Sequence, residues 1–341
     1  MKKLFISLLI TAVIIGTSCI TSPTGDSSNG DSTDISYTWS QMDGGTTASV
    51  GRVWGSSSTD VFAIGYDEDG CTILHYDGTS WSETDDGSEA PLLDIWGSSP
   101  SNVYIVGMIG EFHFDVEGTC TGVTQILHYD GSAWGETDIP FMAWLMGIWG
   151  SSSSDVFAMG LDLDADSAIG IILHYDGRYW SEMDSDVVWP TSSLGNGLNA
   201  VWGSSSSDIY IVGNDGTILH HNGSTWATMD GGTLEHLRDV WGSSSSDVYA
   251  VGKNGTIIHY DGSNWSTVDS GTVDDLEGIW GSSSSDVFVV GKGGTILHYD
   301  GSTWATMDGG TLEHLRDVWG TSSTDIFAIG ENGTILHYGP E

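Results

Sequence analysis

Residues 241–252 read WGSSSSDVYAVG, and close copies begin at Trp54, Trp96, Trp149, Trp202, Trp280 and Trp319. Successive tryptophans stand 42, 53, 53, 39, 39 and 39 residues apart. A period near 40 with one aromatic signature per unit marks a β-propeller, a ring of small sheets that cover each other's apolar faces. Some copies are recent, since 223-GSTWATMDGGTLEHLRDVWG-242 recurs unchanged at 301–320.

Within one unit, four strand-like segments alternate with turn signals: 237-LRDVWG, 247-DVYAVG, 255-GTIIHYDG and 264-NWSTVD. Serines join the first pair, a Gly-containing turn the second, and Asp-Gly-Ser the third. β-branched and aromatic residues dominate and no segment has a 3.6 period, so each unit reads as one four-stranded antiparallel blade. The last unit, from Trp319, stops at GTILHYGPE without a fourth strand. The missing strand is predicted at the other end, in 36-SYTWSQMDGG, because Trp39 precedes Trp54 by the same 15 residues that separate Trp226 from Trp241. The fold expected is all-β: a seven-bladed β-propeller over 36–341, closed when the N-terminal strand completes the last blade and removes a free sheet edge.

That pattern absorbs fourteen of the 16 tryptophans, seven in WG and seven on fourth strands, as packing residues between blades. Seven histidines recur in the third strand: His75, His128, His174, His220, His259, His298 and His337. Equivalent residues on different blades of a ring diverge, so these are expected to bond within their own blade. The partner expected is either backbone or the Asp that opens each second strand (Asp60, Asp155, Asp208, Asp247, Asp286, Asp325; Asn102 in blade 2), a side chain that is itself read as capping its own turn.

The chain begins MKKLFISLLITAVIIGTSC, two lysines, an apolar run and small residues before Cys19. This is a secretory signal and too short for a permanent span. Its end resembles the lipobox of bacterial lipoproteins, which implies lipidation of Cys19; ordinary cleavage nearby is the alternative. Ile20 follows Cys19 where the inner-membrane retention signal of Gram-negative lipoproteins has Asp, which implies the outer membrane or cell surface, with a periplasmic or secreted protein as the alternative. Residues 20–35 are small, polar and acidic and read as a disordered tether. Without Lys2 and Lys3, six Lys and Arg face 47 Asp and Glu, a formal −41. Such a surface excludes nucleic acid as a partner and leaves membrane attachment to the lipid alone.

The units are irregular in places, and function is sought there. Against the 39-residue unit, blade 1 gains three residues between its second and third strands and blade 2 gains fourteen, within 108-MIGEFHFDVEGTCTGV. Blade 3 gains seven there (161-LDLDADSAI) and seven more on leaving its fourth strand (184-DSDVVWPTSSLGNGL). In a meander those two loops lie at the same end of the blade, so one face collects the irregularity. It also collects the two unassigned tryptophans, Trp144 and Trp189, with Phe112, Phe114 and Phe141, the candidate ligand-binding rim. Asp162, Asp164 and Asp166 begin like a calcium loop, but Ser167 stands where such loops need Gly and no Glu closes it, so calcium is a weak candidate and no other cofactor is expected. Cys71 and Cys120 fall in same-face loops of adjacent blades and are a candidate disulfide. Of the arginines, three (Arg52, Arg238, Arg316) stand near first strands of separate blades, facing the axis or packed there, rather than clustered at the variable rim.

The pattern WGSSSSDVFAVG…GTILHYDGSxW resembles a broad class of exported bacterial β-propeller repeat proteins over nearly all of 36–341. It is distantly similar to the Asp-box repeats of sialidase-like propellers, although Asp300 to Trp304 is one residue short of that box, and to tectonin-type lectin propellers. The resemblance implies the fold and leaves function open among binding classes. The leading expectation is a non-enzymatic, lipid-anchored binding or scaffold protein for an unknown protein partner. The alternative is a propeller that binds or acts on glycans, a neutral glycan suiting the acidic surface best. Among enzymes a glycoside hydrolase is the nearest option; no serine or cysteine triad, phosphate loop or zinc motif is visible.

Overall fold

The computed structural model describes residues 35–67, 70–84, 91–109, 123–137, 139–162, 169–183 and 197–340. They form seven antiparallel sheets of four strands each, a seven-bladed β-propeller. Blades 1 to 6 are the meanders 49–84, 92–136, 143–182, 198–228, 237–268 and 276–306. Blade 7 takes three strands from 315–340 and its fourth from Tyr37–Gln41. That strand pairs antiparallel with Ile335–Pro340, Trp39 opposite Tyr338, and the Met42 N–H donates to the Ile335 carbonyl at 2.8 Å.

The WG dipeptide follows from how blades meet. A Cβ placed on Gly97 would lie 2.6 Å from the Trp54 ring, and one on Gly242 2.6 Å from Trp202. The same holds around the ring to Gly55, where a Cβ would lie 2.5 Å from Trp319. Each WG glycine is therefore the seat for the preceding blade's indole, and any side chain there evicts it. Fourth-strand tryptophans pack the other way, edge-on to the previous blade's second strand: Trp81 on Phe327, Trp134 on Phe62, Trp265 on Tyr210. Seven separate apolar clusters result, each between neighbouring blades rather than in one common core; residues of one such cluster, Phe327, Ile329 and Ile335 with Val50 and Trp81, seal blade 7 to blade 1.

The histidines do what their repetition predicts. In blade 1 the Ser56 hydroxyl donates to Asp60 at 2.5 Å, Asp60 meets His75 Nε2 at 2.7 Å, and the imidazole stacks on Phe62 at 4.3 Å between ring centres. His174, His220, His259, His298 and His337 repeat the bond at 2.7–2.8 Å. Blade 2 differs: the Asn102 amide lies 3.0 Å from His128 Nε2, and burial holds His128 below its ordinary value. These groups lie at the end of each blade where the first-to-second and third-to-fourth turns run, the turn face. The opposite end, with the second-to-third and fourth-to-first connections, is the loop face.

Candidate functional site

Every first strand carries a β-bulge at the residue three before its WG tryptophan, where the pairing register skips one position. The skipped residues are Gly51, Leu93, Met146, Asn199, Arg238, Glu277 and Arg316. A bulged residue has no ladder partner, so its side chain is free to point elsewhere. All seven line one cavity of about 280 Å³ at the loop-face mouth of the central channel. Its wall also includes Arg52, Tyr66 and Trp144.

The mouth has two unlike halves. Blades 1 to 3 contribute Gly51, Leu93 and Met146 at the bulge, with Trp144 and a Tyr66 that is 57% exposed. Blades 4 to 7 contribute Asn199, Arg238, Glu277 and Arg316. Three of the four arginines in the chain therefore meet here, facing the axis from three separate blades. The reason is geometric. First strands crowd around the axis, so residues a blade or more apart in sequence are neighbours across the channel.

One residue deeper lies a second tier: Arg52, Asp94, Gly147, Ala200, Asp239, Gly278 and Asp317. Each aspartate ties two blades together. Asp94 accepts the Ile95 N–H at 3.0 Å and the Ile148 N–H of the next blade at 2.8 Å. Asp239 likewise joins Val240 to Ile279, at 2.8 and 2.9 Å, and Asp317 joins Val318 to Val53 across the ring closure, at 2.8 and 2.9 Å. Arg52 is the single cation among them, its Nε 3.5 Å from Asp94. Burial opposes the Arg52 charge, yet Asp317, Asp94, Asp239 and Glu277 outweigh it and hold the guanidinium above its ordinary value. Burial pushes the Asp94 carboxyl up to about 6 against the pull of Arg52 and the two amides. Burial, with repulsion from Asp239, pushes Asp317 up to about 7, and Asp239 is raised for the same first cause.

The rim residues expected from sequence fare unequally. Trp144 lies not in a loop but at the start of blade 3's first strand (Ala143–Ser152), half-buried and opposite Leu161. It occupies the place that His236 and His314 hold in blades 5 and 7, five residues before the WG tryptophan. There the histidine Nδ1 accepts the backbone N–H of Asp215 or Gly293 in the preceding blade, at 3.0 and 2.9 Å. Phe141 is half-buried against the core shared by blades 2 and 3, and its carbonyl accepts the Thr124 hydroxyl at 2.9 Å. Its neighbour Ile139 packs against the same core. Trp189, Phe112, Phe114, Asp164, Asp166, Cys120 and Cys19 lie outside the described residues. Asp162 ends the second strand of blade 3, and Cys71 sits half-buried on the third strand of blade 1 opposite Tyr66. Among the described residues no group of three or more His, Cys, Asp or Glu is arranged to hold a metal ion. The loop face also presents Leu234, Val273 and Leu312, 83–86% exposed at equivalent places in blades 5, 6 and 7, which the sequence reading passed over.

No family model matches the chain, and no curated protein matches it either. Solved structures do. One described as YCF48 bound to D1 peptide superposes with a TM-score of 0.65 at 16% identity, covering 89% of this chain and 97% of that one. Virginiamycin B lyase from Staphylococcus aureus gives 0.66 at 10% identity over 90% and 100% of the two chains. The WD40 β-propeller domain of Doa1 gives 0.62 at 13% identity over 90% and 98%. At these identities the likeness carries the fold alone: the chain is a seven-bladed β-propeller.

Proposed function

We propose that this propeller is a non-enzymatic binding protein, held at a bacterial surface by a lipid on Cys19, that captures a partner polypeptide at the loop-face mouth of its channel. The observation that carries the reading is the bulge ring: all seven blades spend a ladder position at the same cavity, and six of them, all but blade 1 with Gly51, aim a side chain there. Structural needs do not explain an identical bulge filled with Gly, Leu, Met, Asn, Glu and two Arg. The exposed Leu234, Val273 and Leu312 extend the surface outward from the mouth. The solved propeller bound to a D1 peptide supports the reading to the extent that a ring of this shape accommodates a peptide.

The chain enters the ring at Tyr37, whose partner Pro340 ends the last strand on the turn face, the end opposite the mouth. A photo-crosslinking residue at Tyr66, tested in cells of the source organism, is expected to trap a protein that the same residue at Thr79 on the turn face does not. Equal trapping at both positions, or none at Tyr66, counts against the proposal.

A second reading, a lectin, is favoured by Trp144 and Tyr66, since aromatic faces beside hydrogen-bonding groups also suit sugars. A glycan array probed with residues 36–341 separates the two, because a protein-binding ring is expected to leave every neutral glycan unlit.

A further inference from the structure

We propose that the channel mouth recognises a carboxylate carried on an apolar body, with the acid group at Arg238 and the body against Leu93, Met146 and Trp144. This rests on the mouth being the binding site and names the chemistry it takes.

The first argument is the allocation of cations. The chain carries 8 Lys and Arg against 47 Asp and Glu, and three of its four arginines face one cavity of about 280 Å³. The second is that the three are not equivalent. Arg52 is held by Asp94 and by the Gly51 carbonyl, at 3.5 and 3.2 Å, and Arg316 by Glu331. Arg238 has no such hold: its Nε is buried with no hydrogen-bond partner, and the nearest carboxylate oxygen, on Glu277, stands 3.9 Å away. The side chain is 32% exposed and lines the cavity, so its terminal nitrogens are open to give a ligand carboxylate charge-assisted hydrogen bonds. Asn199 beside it cannot donate, because its amide already serves Asn214 and the Leu237 carbonyl at 3.1 and 2.6 Å. The third is the division of the wall. An acid group directed at blades 4 to 7 places its apolar remainder on blades 1 to 3, and the volume suits one side chain with a terminal carboxylate rather than a folded domain.

The tier beneath sets a pH dependence. Asp94, Asp239 and Asp317 face Arg52 there, blades 3, 4 and 6 contribute only Gly147, Ala200 and Gly278, and Glu277 stands above. When all are ionised this tier repels an incoming anion. Asp317 and then Asp94 take up protons as pH falls through about 7 and about 6, which removes that repulsion, so a carboxylate binds more tightly at pH 6 than at pH 8.

The chemistry can come from a small organic acid or from the end of a polypeptide, and one set of titrations separates them. The mature chain is titrated calorimetrically with 4-phenylbutyrate, with 4-phenylbutylamine, and with acetyl-Ala-Ala-Leu-Phe as free acid and as amide. Binding of the acids, weakened about tenfold or more by amidation or by Arg238→Gln and partly kept in Arg238→Lys, supports the proposal. Phenylbutyrate as the tighter acid assigns a small-molecule source, and the peptide acid as the tighter one assigns a chain end. Met146→Glu, which adds a repelling charge to the apolar half, is expected to abolish binding even if Arg238→Gln folds poorly. Equal binding of acid and amide, tighter binding of the amine, indifference to both substitutions, or no binding of any probe overturns it. If the probes fail while the Tyr66 crosslink still forms, the chemistry falls and the binding role stands.

Discussion

On the turn face, the Ser, Asp and His of blade 1 recur with the same bonds in blades 3 to 6, and in blade 7 with Thr321 in the place of the serine. On the loop face, the first three blades share neither the length nor the content of their second-to-third connections. Both faces are ends of the same strands. They differ in what their residues are committed to. A turn-face aspartate caps its turn, orients a histidine and so fixes an aromatic stack, and no substitution there is isolated. A loop-face bulge residue is exempt from the ladder, so each blade fills it independently. Regularity marks where the fold is held, and variety marks where it is left free.

That contrast breaks hardest at the closure. Trp39→Ala removes a buried indole from the only strand not covalently consecutive with its sheet and is expected to cost about 3–5 kcal/mol in denaturant unfolding. Tyr66→Ala on the loop face is expected to stay within about 0.5 kcal/mol in the same assay. Gly242→Val, which drives a side chain into Trp202, is expected to cost about 1–3 kcal/mol. Asp247→Ala leaves Ser243 and His259 without their acceptor and is expected to cost about 1–3 kcal/mol. The reverse experiment sharpens the comparison: Asn102→Asp supplies the carboxylate blade 2 lacks, and an NMR titration of His128 is expected to move upward from its lowered value.

A further test separates the charged tier from both faces. Asp94 and Asp317 titrate higher in the folded ring than the ordinary carboxylate value of 3.8, so the folded state holds more protons than the unfolded chain between about pH 4 and 7. Their contribution is full below that window and lost as pH rises through 6 and 7. The melting temperature is therefore expected to rise as pH is lowered from about 8 to 5.5, and Asp94→Asn with Asp317→Asn is expected to flatten the rise. The smallest effect is expected from calcium: with Ser167 in place of the required Gly, EDTA or added calcium should leave melting unchanged.

The fold was legible because packing repeats. Fifteen residues from Trp39 to Trp54 were enough to foresee a strand borrowed across the closure, and the equal placement of seven histidines was enough to keep them within their own blades. The mouth was not legible by the same means. Its ring is made of residues that obey no repeat, and a period of two hides the bulge that exposes them. One signal was available: Leu237 and Val240 are both buried although three apart, which a regular strand does not allow. That the axis-facing arginines would share one mouth was not legible for a related reason, since distance along the ring says little about distance across its axis. The packing of Phe141 was not legible because an apolar residue in an irregular segment looks exposed until a neighbouring core is known.

The borrowed strand also sets an order of events. Ser40 and His337, bonded across the closure, are separated by 297 residues, so the first strand to be made pairs with the last. Until the C-terminal segment arrives, blades 1 to 6 stand as an open arc with Tyr37–Gln41 idle at its start. Contacts of such long separation form slowly and leave an incomplete arc prone to association with other chains. Maturation of the ring therefore waits on the six residues of its last strand, and truncations there are expected to yield aggregates rather than a weakened ring.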